Sequence, residues 1–355
     1  ILGAGTAGTM TANKLRKRLP TADWTISVVD SKNEHHYQPG YLFIPFGTYE
    51  RDDIVKPIAP LLHDGIDFVF GDIDRVDTAD NTVVLADGST LEYDQLVIAT
   101  GTHPRRDQTE GLDSDEYGST VHDFYTLDGA TALAEQLADW PGGRLVTNIV
   151  EMPIKCPVAP MEFMFLADAF FTEKGMRDKV ELVYVTPLDG AFTKPVAADH
   201  LGTMLEQRGI ALETDFMTME VDTARNTLVS YDDRVVPYDL LVTVPVNMGA
   251  DFVERSGLGD ELNHVEVDKH TFLADGQDNV FALGDAANLP TSKAGSVAHY
   301  SVDVFVDNFI EHIAGQPMTE QFDGHANCFI ESGNGKGLLI DFNYDIEPLP
   351  GKFPI

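Results

Sequence analysis

The chain has 355 residues, 43% of them apolar, and carries 24 Lys plus Arg against 58 Asp plus Glu, a net charge of -34. That length and apolar content suit two or three packed lobes around a real core. The dispersed negative charge repels nucleic acid and anionic lipid at low salt and points to solvation in a very salty medium. Two cysteines exclude a disulfide framework, and no run of about 18 apolar residues is present to span a bilayer.

The first predicted element is the end of a buried strand, Ile1-Leu2, which turns through Gly3-Ala4-Gly5-Thr6-Ala7-Gly8 into a helix over Thr9 to Leu19. In this G-x-G-x-x-G loop Gly3 permits the tight turn. Gly5 lets the backbone approach a pyrophosphate, and Gly8 lets the helix pack close to the strand. A second strand, Trp24 to Val29, leads into Asp30, 22 residues beyond Gly8 (30 minus 8). That is the spacing of a carboxylate that holds a ribose in a dinucleotide-binding unit. Because the chain opens inside a strand, a few residues are expected before Ile1, and the fingerprint leaves little room for a signal peptide.

Ser31 to Gly47 reads as a loop with the apolar stretch Tyr41 to Phe46. His35 and His36 are expected as a surface pair, since neighbours on an extended chain point opposite ways and cannot share a metal. From Ile66 the pattern becomes β: Asp67 to Phe70, Asp72 to Val76, Thr82 to Leu85 and Leu91 to Asp94. The apolar strand Gln95 to Gly101 follows, ending in Ala99-Thr100-Gly101.

A second dinucleotide fold is expected next, with strand Arg144 to Val150 and helix Phe163 to Phe171. The joining loop, however, reads Glu151-Met-Pro-Ile-Lys-Cys-Pro-Val-Ala-Pro160. Three prolines and no glycine cannot bring a backbone close to a pyrophosphate. The following strand, Val180 to Val185, ends in Thr186-Pro187 where an acid would hold an NAD ribose. NAD is therefore not the expected electron partner. A loop over Leu182 to Val196, a helix over His200 to Gly209 and further strands follow, and Asp239 to Val244 returns the chain to its first unit. Val280-Phe-Ala-Leu-Gly-Asp285, a helix over Ser296 to Ile313 and a hairpin through Cys328 and Gly337 to Phe342 complete the chain.

Gly3 to Gly8, Ala99 to Gly101 and Val280 to Asp285 together resemble the FAD half of the two-dinucleotide-binding-domain flavoproteins, the superfamily of glutathione reductase. The resemblance implies an α/β fold of two Rossmann-like domains, the second degenerate, plus a short C-terminal β segment. It assigns 1–105 and 237–315 to FAD binding, 106–236 to the second domain and 316–355 to the segment carrying Cys328. Gly3, Gly5, Gly8, Asp30, Thr100 and Gly101 would hold FAD, Asp285 would bond its ribityl chain, and Lys293 would stand at the pyrimidine edge of the flavin.

The run Pro153-Ile-Lys-Cys-Pro-Val-Ala-Pro-Met-Glu-Phe163 resembles sulfide:quinone oxidoreductases and the flavoprotein subunit of flavocytochrome c sulfide dehydrogenase. This resemblance implies that Cys156 and Cys328 form a redox pair attacked by hydrosulfide. One sulfur would leave as a thiolate that passes two electrons to the flavin, aided by a site that lowers thiolate pKa, to which Lys155 is a contributor by proximity in sequence. Glu162 is either the proton-transfer group or an ordinary first-turn helix acid. Phe329, Phe342 and Tyr344 line a quinone slot or belong to the hairpin core. Tyr125 stands where many sulfide:quinone oxidoreductases carry a third cysteine. No cysteine precedes Cys156, which implies non-covalent FAD. The acceptor is a quinone or a cytochrome, and no metal or nucleic acid is expected. The expected location is cytoplasmic or peripheral on the membrane, with the oligomeric state open. Family members end in membrane-surface helices, and no such pattern is legible before Gly351 to Ile355. A type II NADH:quinone oxidoreductase and a non-catalytic flavin sensor or subunit are the alternatives.

Overall fold

The computed structural model describes residues 1–349; the sequence-based reading of Gly351 to Ile355 lies outside them. The first layer is a parallel sheet centred on Leu2, which is 1% exposed and bridges to Ile98 on one side and Val29 on the other. Ile26–Asp30 continues outward to Ile66–Phe70, and Leu96–Ile98 continues to Val280–Ala282. Buried on both faces, Leu96–Ile98 and Val280–Ala282 read as apolar runs with no alternation, whereas the outer Ile66–Phe70 exposes Asp67 and Phe70. Helix Thr6–Arg18 buries Ala7, Gly8, Ala12 and Leu15 against this layer. Helix Gly295–Ile313 lies beside it, with Lys14 paired to Asp303 and Arg18 to Asp307 across the join.

The second layer is a five-stranded parallel sheet in the order Val121–His122, Leu240–Val244, Gly143–Ile149, Val180–Val185, Ile210–Glu213. Its order changes direction beside Gly143–Ile149, and in open parallel sheets ligand chemistry gathers outside the carboxyl ends at such a point. Residues 151–158 leave the sheet there, and helix Ala159–Glu173 covers one face. A three-stranded antiparallel meander accompanies each layer: Ile73–Asp77, Thr82–Leu85 and Thr90–Glu92 in one case, and Thr218–Asp222, Thr227–Ser230 and Val235–Pro237 in the other.

Three local expectations need correction. The stretch Ser31 to Gly47 is structured: Glu34–His36 pairs with Val55–Pro57, and Gln38–Phe46 forms 3-10 turns that bury Tyr41, Leu42 and Ile44. Pro45, inside these turns, lacks the amide proton an α-helix would need there. His35 and His36 are half-buried, with Nδ1 of His35 3.0 Å from the Ala4 carbonyl oxygen and Nδ1 of His36 2.6 Å from the Tyr41 hydroxyl. The helices expected from Phe163 and His200 begin earlier, at Ala159 and Pro195. Each carries proline in its first turn, where a missing N–H costs nothing.

The C-terminal hairpin pairs Ala326–Glu331 with Gly337–Phe342, Cys328 opposite Ile340. Ala326, Cys328, Ile330, Ile340 and Phe342 face inward onto helices Ala159–Glu173 and Gly295–Ile313, whereas Phe329 is 70% exposed on the other face. Among the described residues no helix is long and apolar enough to cross a membrane.

Candidate active site

The glycine loop meets the expected steric needs at two of its three glycines. Gly3 has φ +97° and a Cβ there would lie 2.5 Å from the Ala99 carbonyl oxygen. A Cβ on Gly8 would lie 1.9 Å from the Gly3 carbonyl oxygen. Gly5 faces open space and caps helix Thr6–Arg18, whose first turn holds neither an acid nor a side-chain cap. Its free N–H groups and positive dipole end are therefore available to an anion. Asp30 Oδ2 accepts from the Ala4 amide at 2.7 Å and Oδ1 from the Lys32 amide at 2.9 Å. Each oxygen keeps a lone pair for a ribose hydroxyl.

At the neighbouring strand end, Gly101 has φ +68° and open space where a side chain would be. The buried hydroxyls of Thr100 and Thr102 have no hydrogen-bond partner among the described residues. Buried polar atoms are rarely left unpaired, and here the orphans stand beside an anion-ready helix end and an unfilled glycine surface. This donor set fits a dinucleotide cofactor.

Asp285 follows strand Val280–Ala282 after Gly284, whose φ is +64°. Burial pushes the Asp285 carboxyl up, while Lys293 and Lys155 pull it back. Lys293 is 7% exposed and donates to the carbonyl oxygens of Asp285 (2.8 Å) and Ala287 (3.0 Å). Burial lowers both lysines to about 8, with Asp285 opposing the shift in each. A bridge between Lys155 and Lys293 joins the proline-rich loop to this corner, and the Cys156 amide donates to the Lys293 carbonyl oxygen at 2.6 Å.

Cys156 and Cys328 are 172 positions apart in sequence (328 minus 156), yet both thiols are free and lie within electrostatic reach of each other, Cys328 buried and Cys156 half-buried against the same core. Burial raises the Cys156 thiol well above its usual value, and the negative charges of Cys328 and Glu162 add to this. Burial pushes Cys328 up to about 12, again with Glu162 contributing. Glu162, 5% exposed, is itself pushed up to about 7 by burial. Its Oε1 accepts from the Glu331 amide at 2.6 Å, which opposes the rise. That bond ties the helix after Cys156 to the strand carrying Cys328.

Lys155 acts elsewhere than expected. Its ammonium donates to Gln38 Oε1 (2.8 Å) and the Thr102 carbonyl oxygen (3.4 Å), and the charges acting on Cys156 are negative. The three aromatic residues do not form one slot. Phe329 points outward, whereas Phe342 is 1% exposed against Phe192, and Tyr344 packs on Phe322 and donates to the Lys269 carbonyl oxygen at 3.0 Å. The two-residue alternation of a strand puts 329 and 342 on opposite hairpin faces.

Two residues near the cysteines escape sequence reading. Gln38 receives Lys155, and Tyr37, 55% exposed, lies within electrostatic reach of Cys156 and Glu162. The aromatic density of the stretch running to Phe46 is their only signal in the sequence.

Residues 1–147 match the model of a family described as pyridine nucleotide-disulphide oxidoreductase. A mitochondrial sulfide:quinone oxidoreductase of Dictyostelium discoideum is 28% identical over 352 residues, covering 98% of this chain and 78% of that protein. A type II NADH:quinone oxidoreductase of Staphylococcus aureus is 23% identical over 389 residues, covering 99% and 90%. The crystal structure of the sulfide:quinone oxidoreductase of Aquifex aeolicus superposes with TM-score 0.83 at 21% identity, covering 98% of this chain and 84% of that one. The fold is thus the FAD-binding fold of the pyridine nucleotide-disulphide oxidoreductases.

Proposed function

We propose that this chain, a homologue of the sulfide:quinone oxidoreductases over 98% of its length, is an FAD-dependent oxidoreductase that oxidises sulfide and delivers the electrons to a quinone. The observation that carries the reading is that Cys156 and Cys328 stand within electrostatic reach of each other, with Cys156 linked to the dinucleotide cradle through its backbone bond to Lys293. In this reading residues 1–105 and 237–315 hold FAD non-covalently, through Gly3, Gly5, Gly8, Asp30, Thr100, Gly101, Asp285 and Lys293. Residues 106–236 form the degenerate second unit and 316–355 the segment that supplies Cys328.

The two thiols, once oxidised to a disulfide, are the target. Hydrosulfide attacks one sulfur, the S–S bond breaks, one cysteine becomes a persulfide and the other leaves as a thiolate. Bound FAD would supply the two-electron acceptor for that thiolate. Overall, hydrosulfide becomes sulfane sulfur, giving up one proton and two electrons, and the quinone takes the two electrons with two protons. Glu162 takes the proton: it is buried, stands within the field of both cysteines and titrates near neutrality. The pair needs no preformed thiolate at rest, which suits a site where burial holds both thiols protonated.

A type II NADH:quinone oxidoreductase is the second reading, favoured by the Staphylococcus relative. The proline-rich loop at 151–160 and Thr186-Pro187 weigh against it. A quinone acceptor implies peripheral attachment to the cytoplasmic face of a membrane, and the acidic surface suits anionic lipid only at high salt.

The test is anaerobic flavin absorbance at high salt, with sulfide and NADH added separately and then a quinone. Bleaching by sulfide and recovery with quinone are expected, and Cys156→Ser and Cys328→Ser should each abolish the bleaching. Normal bleaching in either variant would sink the cysteine mechanism, and bleaching by NADH alone would transfer the chain to the second reading.

A further inference from the structure

Cys156 has φ +49°, in the left-handed region that costs a side-chain-bearing residue about 1 kcal/mol or more. Such a conformation persists only when its surroundings over-determine it. Three hydrogen bonds hold it. The Cys156 amide donates to the Lys293 carbonyl oxygen (2.6 Å), and the Cys156 carbonyl oxygen accepts from the Ala159 amide (2.9 Å) and from the Tyr125 hydroxyl (3.1 Å). The first two belong to the loop itself and its neighbour. The third comes from a side chain 31 positions away.

Tyr125 is fixed from behind. It is 5% exposed, and its amide donates at 2.7 Å to the buried Asp123 carboxylate, which also accepts from the Thr126 amide and the Tyr117 hydroxyl. Thr126 in turn caps helix Leu127–Asp139, and the Phe124 ring stacks on Phe163 of the helix that follows Cys156, at 5.1 Å and 7°. Burial holds the phenol protonated, so it remains a donor.

We infer that Tyr125 is a positioning residue: its hydroxyl clamps the Cys156 carbonyl and holds Cys156 in its left-handed turn, with its sulfur turned to the Cys328 side of the core. The inference rests on the sulfide-oxidation reading for its consequence in turnover, though not for the clamp itself. The Tyr125 hydroxyl bonds the peptide of Cys156 and lies within electrostatic reach of the Cys156 thiol and of Glu162.

Tyr125→Phe removes the hydroxyl and keeps the ring. On the reduced holoprotein, iodoacetamide labelling of each cysteine is followed by peptide mass spectrometry, with FAD content and the thermal midpoint as folding controls. The half-buried Cys156 thiol reacts faster as its loop opens, whereas Cys328 is buried. Loss of one hydrogen bond should therefore speed Cys156 roughly fivefold while leaving Cys328 unchanged. Bleaching by sulfide should slow by a similar factor. Unchanged labelling of Cys156, or equal acceleration of both cysteines, would overturn the clamp; equal acceleration signals general loosening. If Tyr125→Phe fails to fold, Tyr125→Met fills the same space without a hydroxyl and is measured in the same way. Should the unsubstituted protein not bleach with sulfide, the functional reading fails, and the labelling ratio, which involves no sulfide, still decides the clamp.

Discussion

At the scale of single residues, Glu162 carries the plainest consequence. Its carboxyl titrates at about 7 in the folded protein against 4.5 when unperturbed. A folded value raised above the unfolded one means that stability is lost as pH rises from 4.5 towards 7, because the unfolded chain releases that proton first. Glu162→Gln keeps an oxygen for the Glu331 amide and removes the titration. It should therefore stabilise the fold by about 3 kcal/mol at pH 8 and by almost nothing near pH 4.5, read from denaturant midpoints. If the gain is equal at both pH values, the raised carboxyl is excluded. The same substitution should cost sulfide-driven flavin reduction about 100-fold. The ratio of the unsubstituted protein's rate to the variant's, in which the ionisation of sulfide itself cancels, should rise through pH 7.

At the scale of elements, the glycine loop and the proline-rich loop have opposite uses. In the glycine loop the three glycines are separable by where their missing side chains would go. Gly8→Ala puts a methyl 1.9 Å from the Gly3 carbonyl oxygen and should unfold or strongly destabilise the protein. Gly5→Ala meets no protein atom, at an ordinary negative φ of -72°. The apoprotein should keep or slightly raise its thermal midpoint while its FAD content, measured after acid release, falls about tenfold or more. A Gly5→Ala protein with full FAD would mean that the pyrophosphate does not cross this loop.

The proline-rich loop at 151–160 holds no glycine and carries a cysteine in a left-handed turn instead. Its opposite number is the C-terminal hairpin. Strand alternation there turns Cys328 inward and Phe329 outward, so a quinone cannot be gripped by the three hairpin aromatics together.

At the scale of the whole molecule, a net charge of -34 on 355 residues repels itself at every surface. Many of the ion pairs are exposed, among them Arg18–Asp307 and Arg144–Glu181, and exposed pairs contribute little. Raising salt from about 0.1 M to about 2 M shortens the screening length from about 10 Å to a few ångströms. The thermal midpoint should rise by about 5 °C or more across that range in KCl. A midpoint indifferent to salt would show that the acidic surface is neutral to folding and would remove the argument for a salty habitat.

Local sequence determined the dinucleotide loop, the strand ends at Asp30, Gly101 and Asp285, the loss of the second glycine loop and most strands and helices. These features depend on backbone sterics and on periodicities spanning a few residues, which a short window contains. Only the tertiary structure decided that Cys328 comes within electrostatic reach of Cys156, that Glu162 is buried within the field of both and that Lys155 turns to Gln38 and Thr102 while the Tyr125 hydroxyl reaches the Cys156 carbonyl. It also separated Phe329 from Phe342 and buried the stretch before Gly47. Each of these depends on which face of an element meets which partner across tens or hundreds of positions. The free energy that selects the partner, the removal of apolar surface and unpaired polar groups from water, is defined only once the two layers have packed.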